Sequence, residues 1–398
     1  MPSAPRGVDG GERLLTGYSG RVSTVLAVGW TATLLGRQAL SPLLPAIVAD
    51  LGLSPAQAGF ALTLMMGLYA AVQYPSGRVS DQLSRTTVLA AGVGVMVVGF
   101  GLLTTATGYG ALLLGVSLVG IGAGCYFSPA RAFVSDLFVE RRGQAFGVHT
   151  AAGMVGGVLA ATSAATVLAV ATWRAAFLPS IALLVGVLVV LHRWSREPYV
   201  LDAVTLGVRA TVGRLFASTR IRRLVVGYTL FAVTLQAFVG FLPTLLQVEK
   251  GFSPTLASGG FALVYVVGVV TGPLAGRLSD RFQRARVVVG ALALGVVGLV
   301  VLLVGGSVPV VGLGIVLTAV GLWAYVPTVQ AYLMDLLAND SLGGDFGLLK
   351  TVYTGLGSLG PTYVGVVAER ASYTAAFAGL VGCLFASTVV VFVATRGD

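Results

Sequence analysis

This chain of 398 residues is short of charge: Asp, Glu, Lys and Arg together make up only 10% of it. A soluble domain carries about 25%, so these residues cannot cover a water-facing surface. Acidic residues are the scarcer sign, 15 against 25 Lys and Arg. None lies deep in an apolar run: Asp50, Glu249 and Glu369, like Asp81, Asp136, Asp280 and Asp335, fall at the ends of runs. A membrane-embedded carboxylate is the usual heart of a proton relay or Na⁺ site. Its absence favours a facilitator, an exchanger or coupling through another group. The two cysteines, Cys125 and Cys383, sit inside apolar runs at non-equivalent places, which excludes a disulfide framework and leaves no metal site. Lysine is nearly missing, 2 residues against 23 Arg, which we attribute to base composition. The stretch Met1 to Arg21 is polar and Gly-rich and lacks a signal-peptide pattern.

What the chain has in excess is apolar sequence, 56% of all residues, with a mean hydropathy of +0.92. Lipid must be its solvent, and in lipid the backbone has to be helical or a closed barrel. The apolar runs are long and unbroken rather than alternating, so a barrel is excluded. A crossing takes about 20 residues. Runs of that length predict spans at 22–46, 57–76, 87–106, 110–132, 145–168, 174–194, 223–246, 256–275, 287–306, 309–333, 347–367 and 373–394. The protein reads as an all-α polytopic membrane protein of twelve helices.

The spans fall into two copies of one half. Gly77-Arg78-Val79-Ser80-Asp81-Gln82-Leu83-Ser84-Arg85 reappears as Gly276-Arg277-Leu278-Ser279-Asp280-Arg281-Phe282-Gln283-Arg284, 199 positions on. Ser54-Pro55 answers to Ser253-Pro254 at the same offset, and Trp173 to Phe177 answers to Tyr373 to Phe377 with one insertion. So long a period marks a duplicated module of several helices, not a solenoid unit. The expected organisation is an N-terminal tail at 1–21, a six-helix bundle at 22–194, a linker at 195–222, a second bundle at 223–394 and a tail at 395–398.

The basic residues behind the net charge of +10 cluster between the apolar runs, so the charge reports orientation rather than nucleic-acid binding. With the N-terminus cytoplasmic, the inner side collects 21 of the 25 Lys and Arg, counting Arg131 and Lys350 as helix ends. The outer loops hold Arg174, Lys250 and Arg370. By the positive-inside rule both termini face the cytoplasm, in a cell or inner membrane of a prokaryotic source.

The duplicated motif resembles the signature of the major facilitator superfamily, Gly-x-x-x-Asp-(Arg/Lys)-x-Gly-(Arg/Lys)-(Arg/Lys), between spans two and three. Gly77, Asp81 and Arg85 fit it, while Gln82, Ser84 and Thr86 depart; Gly276, Asp280, Arg281 and Arg284 fit in the second copy, while Gln283 and Ala285 depart. The resemblance covers nearly the whole chain. It implies two pseudo-symmetric six-helix bundles around a central cavity, and alternating access to a midplane site. It also implies that the motif latches the halves in the outward-open state and releases on inward opening. The alternative is a solvated basic turn that only sets topology. Physically, Gly lets helix ends approach, Asp can cap a helix N-terminus, and Arg can pair with it or reach headgroups. Two departures count against a drug exporter: Val116 replaces the span-four Arg, and Gly153-Met154-Val155-Gly156-Gly157 has no Pro.

Arg37 is the one charge placed well inside a span, at an insertion cost of roughly 2.5–3.5 kcal/mol. We read it as an anion grip, against the alternative of a structural or snorkelling Arg. Its repeat mate is Gln236, and that of Arg131 is Gln330, which suggests a two-handed site. Arg131 has the rival role of pairing with Asp136 or Asp81. Gln73, Tyr126, Tyr265 and Tyr325 are further candidate binding residues, with helix packing as the alternative for each aromatic. His149 is a candidate for proton linkage or, more plainly, for a helix cap. No nucleophile–base or metal constellation is present, so neither an enzyme nor a cofactor is expected. The expected function is transport of a small solute, leaning to an organic anion such as a monocarboxylate or sugar acid. A drug or metabolite exporter is the alternative, and a transporter-like receptor a remote one. The expected partners are the bilayer and the solute, with the chain a monomer.

Overall fold

Ser54 and Ser253, mates in the repeat, both cap helices. The Gln57 backbone N–H donates to Ser54 Oγ at 3.2 Å while the Gln57 side chain accepts from the Ser54 N–H at 2.9 Å, a reciprocal cap. Ser253 Oγ accepts from the Leu256 N–H at 3.2 Å. Each Ser is followed by Pro at the first helical position, where its missing N–H costs nothing. The computed structural model describes residues 14–200, 202, 218–336 and 342–396, without the side chains of 280, 334–336 and 342–346.

Thirteen α-helices run through the described residues. They are α1 Gly17–Leu51, α2 Pro55–Gln82, α3 Arg85–Thr104, α4 Tyr109–Leu137, α5 Arg142–Val170, α6 Leu178–Trp194, α7 Thr219–Val248, α8 Pro254–Arg281, α9 Arg284–Val304, α10 Val308–Leu336, α11 Leu342–Gly357, α12 Leu359–Arg370 and α13 Tyr373–Thr395. A 3₁₀ turn, Trp173–Phe177, leads into α6. Eleven of these segments are long and apolar enough to cross a membrane. The remaining crossing, eleventh in chain order, is α11 followed by α12, broken at Ser358 just ahead of Pro361. Pro361 has no N–H for the Gly357 carbonyl, so the helix loses a rung where the break occurs. The expected single span at 347–367 is thus two stacked pieces. Pro243, Pro273 and Pro327 lie inside helices that run on without a break.

α1–α6 form one bundle and α7–α13 the other, meeting along α1 with α7, α2 with α11 and α12, and α5 with α8. The repeat is visible in the caps. Asp50 accepts from Trp173 Nε1 at 3.1 Å and pairs with Arg174 at 2.8 Å. Its mate at the 199 offset, Glu249, accepts from the Tyr373 N–H at 2.8 Å. Arg174 Nε also donates to the Ala106 carbonyl at 2.9 Å, and Lys250 donates to Leu303 and Gly305, the mate of Ala106, at 2.7 and 2.9 Å. In each half a cation closes the carbonyl end of the third helix, as the helix dipole favours.

We call the end carrying the α2–α3 and α8–α9 turns the basic end. Toward the other end, hydrogen bonds tie the halves together. Ser41 Oγ donates to the carbonyls of Val239 and Gly240 at 2.6 and 2.9 Å. Thr63 Oγ1 donates to the Ser358 carbonyl at 2.6 Å and accepts from the Thr362 N–H at 3.0 Å. Glu369 accepts from Ser54 Oγ at 2.7 Å and from the Ala56 N–H at 3.0 Å, capping α2 from across the interface. Ser41 and Gly240 are themselves 199 apart, so the pseudo-twofold axis passes between them.

Within the first half, α4 lies on α2 at Gly120, where an added Cβ would stand 2.3 Å from the Met65 carbonyl oxygen. Gly120→Ala is therefore expected to cost about 1–3 kcal/mol by overpacking, read as a lowered melting temperature in detergent. Gly94→Ala, with nothing within 4 Å, is the control and should be neutral or slightly stabilising.

Candidate functional site

Pro42 and Pro45 interrupt the hydrogen-bond ladder of α1 without ending the helix. Each frees the carbonyl four residues earlier, at Gln38 and Ser41, and Arg37 sits beside them. Arg37, Gln38 and Ser41 of α1 line one small cavity with Met65 of α2 and Gln236 of α7; its volume is about 10 Å³, room for a single water. Repeat mates Arg37 and Gln236 thus meet at the pseudo-twofold axis, between the halves. In this conformation the bundle is closed around them.

Arg37 is 7% exposed, and its Nε and Nη1 have no hydrogen-bond partner in the protein. The guanidinium lies 4.4 Å from the Tyr69 ring centroid and 5.9 Å from that of Trp30. Aromatic faces stabilise a cation, but they do not satisfy its N–H donors, and a buried charge left unpaired is expensive. The structural alternative, an Arg bonded to backbone carbonyls, is therefore not how Nε and Nη1 are held. Gln236 Nε2 donates to the Thr354 carbonyl at 2.9 Å, while its Oε1 is unpaired. Gln236 consequently offers an acceptor, which suits a hydroxyl on a solute.

Below Arg37 the rings form a continuous hub. Tyr69 and Phe127 are 6.2 Å apart, Trp30 and Phe127 5.1 Å, and His149 stacks on Trp30 at 5.9 Å. His149 is buried seven residues into α5, and neither ring nitrogen has a partner, so it caps nothing and meets no proton acceptor in the described protein. Arg131 does not pair with Asp136 or Asp81: those carboxylates are taken by Arg85, and the Arg131 guanidinium lies over Phe127 and Phe146 at 5.5 and 5.0 Å. Gln330, the mate of Arg131, is half-buried on α10 and shares no hydrogen bond with it. Gln73 is buried on α2 with Nε2 unpaired.

The aromatic candidates divide. Tyr126 donates its hydroxyl to the Leu26 carbonyl at 2.7 Å and is a packing residue. Tyr265 is buried with its hydroxyl unpaired, its ring filling the space left by Gly157 of the other half. Tyr325 packs 3.9 Å from Phe231 inside the second half, also with its hydroxyl unpaired. Gly153, Gly156 and Gly157 make room for Trp30, Thr31 and Tyr265, so this run is explained by helix packing.

At the basic end Arg85 bonds Asp81, Asp136 at 3.1 Å and Ser80 at 2.9 Å, all within the first half. In the second copy Arg284 donates to the Ala331 carbonyl at 3.2 Å, Arg281 is exposed, and the Asp280 side chain lies outside those described. Close approach does not explain the motif glycines here. A Cβ on Gly77 would meet Ser128 at an ordinary 3.6 Å, and one on Gly276 would meet nothing.

The chain matches the family model described as Major Facilitator Superfamily over residues 26–361, and again over 261–397. It belongs to that superfamily. It is therefore a multi-pass membrane transporter of small solutes and not an enzyme. It is 27% identical over 375 residues to a probable sulfoacetate transporter of Cupriavidus necator, covering 87% of this chain and 86% of the other. A hexuronate transporter of Bacillus subtilis is 23% identical over 382 residues, 90% of each chain. Among solved structures, a bacterial homologue of the human lysosomal transporter Spinster, in an inward-facing and occupied conformation, superposes with a TM-score of 0.83 at 18% identity over 98% of both chains.

Sequence reasoning missed Lys350, which it counted among the helix ends. Lys350 lies in the interior of α11, and its Nζ stands 4.0 Å from the Phe127 ring centroid in the other half. One of only two lysines in the chain, inside an apolar run, was signal enough. The ring hub itself left no such signal, because Trp30, Tyr69 and Phe127 come from three helices.

Proposed function

We propose that this superfamily member carries a small organic anion, a hydroxylated carboxylic acid, by alternating access. The basic end and both chain ends face the cytoplasm, as the Lys and Arg distribution argues. The observation that carries the substrate class is the buried Arg37, with two donors unpaired at the axis between the halves. A carboxylate would satisfy both in parallel, the geometry at which a guanidinium excels, while Gln236 Oε1 accepts from a solute hydroxyl. Each half contributes one contact, so the solute can follow either half as they rock. The relatives named for sulfoacetate and hexuronate, both acids, support the reading.

The test is a thermal-shift screen of the purified protein against hydroxy acids, sugar acids, neutral sugars, amino acids and cationic drugs. A ligand at 100 times its Kd stabilises by about 2.7 kcal/mol, so an anion should raise the melting temperature and Arg37→Gln should lose that response. Stabilisation by cationic or lipophilic compounds only, unchanged in the variant, would overturn the proposal in favour of an exporter.

A further inference from the structure

Three cations converge on the ring hub, and among the described residues none forms an ion pair. Arg37 of α1 faces Tyr69; Arg131 of α4 and Lys350 of α11 face Phe127 at 5.5 and 4.0 Å. Tyr69 and Phe127 are neighbours at 6.2 Å, so the three charges flank one short aromatic wall. The carboxylates of Asp81 and Asp136 are engaged by Arg85 at the basic end. Arg131 and Lys350 come from opposite halves and are half-buried, whereas Arg37 is buried. Like charges held this close in a poorly screened interior repel one another, and one acid group on Arg37 leaves the other two uncompensated.

We infer that the site takes a doubly charged anion, one acid group on Arg37 and the second on Lys350 and Arg131, its carbon chain lying along Tyr69 and Phe127. The inference rests on the anion reading above and narrows it from one acid group to two. Lys350 belongs to the second half and Arg37 to the first, so a diacid would bridge the halves by charge as well as by hydrogen bonds. A monocarboxylate would engage Arg37 alone. The ring faces of the wall suit methylene groups, with their C–H edges against them.

The experiment is isothermal titration of the whole protein in lipid nanodiscs with paired acids, propionate against succinate and lactate against malate, with glutarate to measure reach. Wild type should bind each diacid at least tenfold more tightly than its monoacid partner. Lys350→Met should weaken diacid binding by at least tenfold and so erase that preference. Equal affinities for monoacids and diacids in the wild type, which needs no variant to fold, would overturn the inference and leave the anion reading intact. So would a diacid preference that survives both Lys350→Met and Arg131→Gln. Failure of every acid to bind, with Arg37→Gln indistinguishable from wild type, would instead remove the anion reading and this inference with it.

Discussion

Replacing Gly59 by leucine is expected to reduce solute flux by one to two orders of magnitude while leaving both bundles folded. A Cβ at Gly59 would stand 2.4 Å from the Pro361 carbonyl oxygen, 3.0 Å from its carbon and 3.1 Å from Thr362 Cα. All three are backbone atoms, which cannot turn aside as a side chain would. The contact lies in the tie between α2 and α12, beside the Thr63 and Glu369 hydrogen bonds. Relief therefore requires α2 to move away from α12, which is the opening motion of that end. Overpacking typically costs 1–3 kcal/mol. If the tied conformation alone bears that cost, the equilibrium between conformations moves by about 5- to 150-fold. The check is a flux assay in proteoliposomes together with a spin-label distance between Phe60→Cys and Arg370→Cys, both exposed, with Cys125 and Cys383 replaced by Ser. Wild-type flux with an unchanged label distance would show that this tie plays no part in the cycle.

The second prediction uses the repeat. Arg37→Gln should weaken anion binding by more than about 30-fold, since removing one partner of a desolvated charge pair costs 2–5 kcal/mol or more. Gln236→Arg in that background should recover a large part of the loss. The two residues are mates at the 199 offset and line one cavity at the axis, so the swap moves the guanidinium to the other half without moving it out of the site. Recovery will be incomplete, because Gln236 Nε2 holds the Thr354 carbonyl at 2.9 Å and the swapped chain forfeits that bond. Titration of a hydroxy acid into the wild type, the single variant and the double variant decides it. A double variant no better than Arg37→Gln would mean that the charge must come from α1, and that the two halves do not share the site symmetrically.

How much of this was legible beforehand follows from what each feature depends on. Helix count depends on runs of consecutive apolar residues, and duplication on a motif repeated at a fixed 199-residue offset, so the chain displays both directly. Arg37 stood out because a charge in an apolar run is anomalous in any fold. The Arg37–Gln236 pairing was also legible, since a two-fold repeat brings equivalent residues of the first and seventh helices to the axis. The role of Gln236 was not. Whether its amide presents a donor or an acceptor depends on Thr354, over a hundred residues away. Of the two roles open to Arg131, binding or a pair with Asp136 or Asp81, the pairing does not occur: Arg85 reaches Asp136 from α3 and Arg131 turns to two rings instead.

The sequence by itself determined that this chain lives in lipid, as two copies of a six-span module with a charge-depleted interior. Those properties follow from composition and period, which no packing can alter. Only the tertiary structure decided which polar groups face one another. It broke the eleventh crossing at Ser358, set Lys350 against Phe127 of the other half, and left two donors of Arg37 unpaired at the axis. Side-chain partners across an interface are fixed by helix rotation and crossing, and a shift of one residue in either turns a helix face by about 100°. That angle is invisible in a run of apolar letters, and here it decides that Arg37, Arg131 and Lys350 stand around one group of rings.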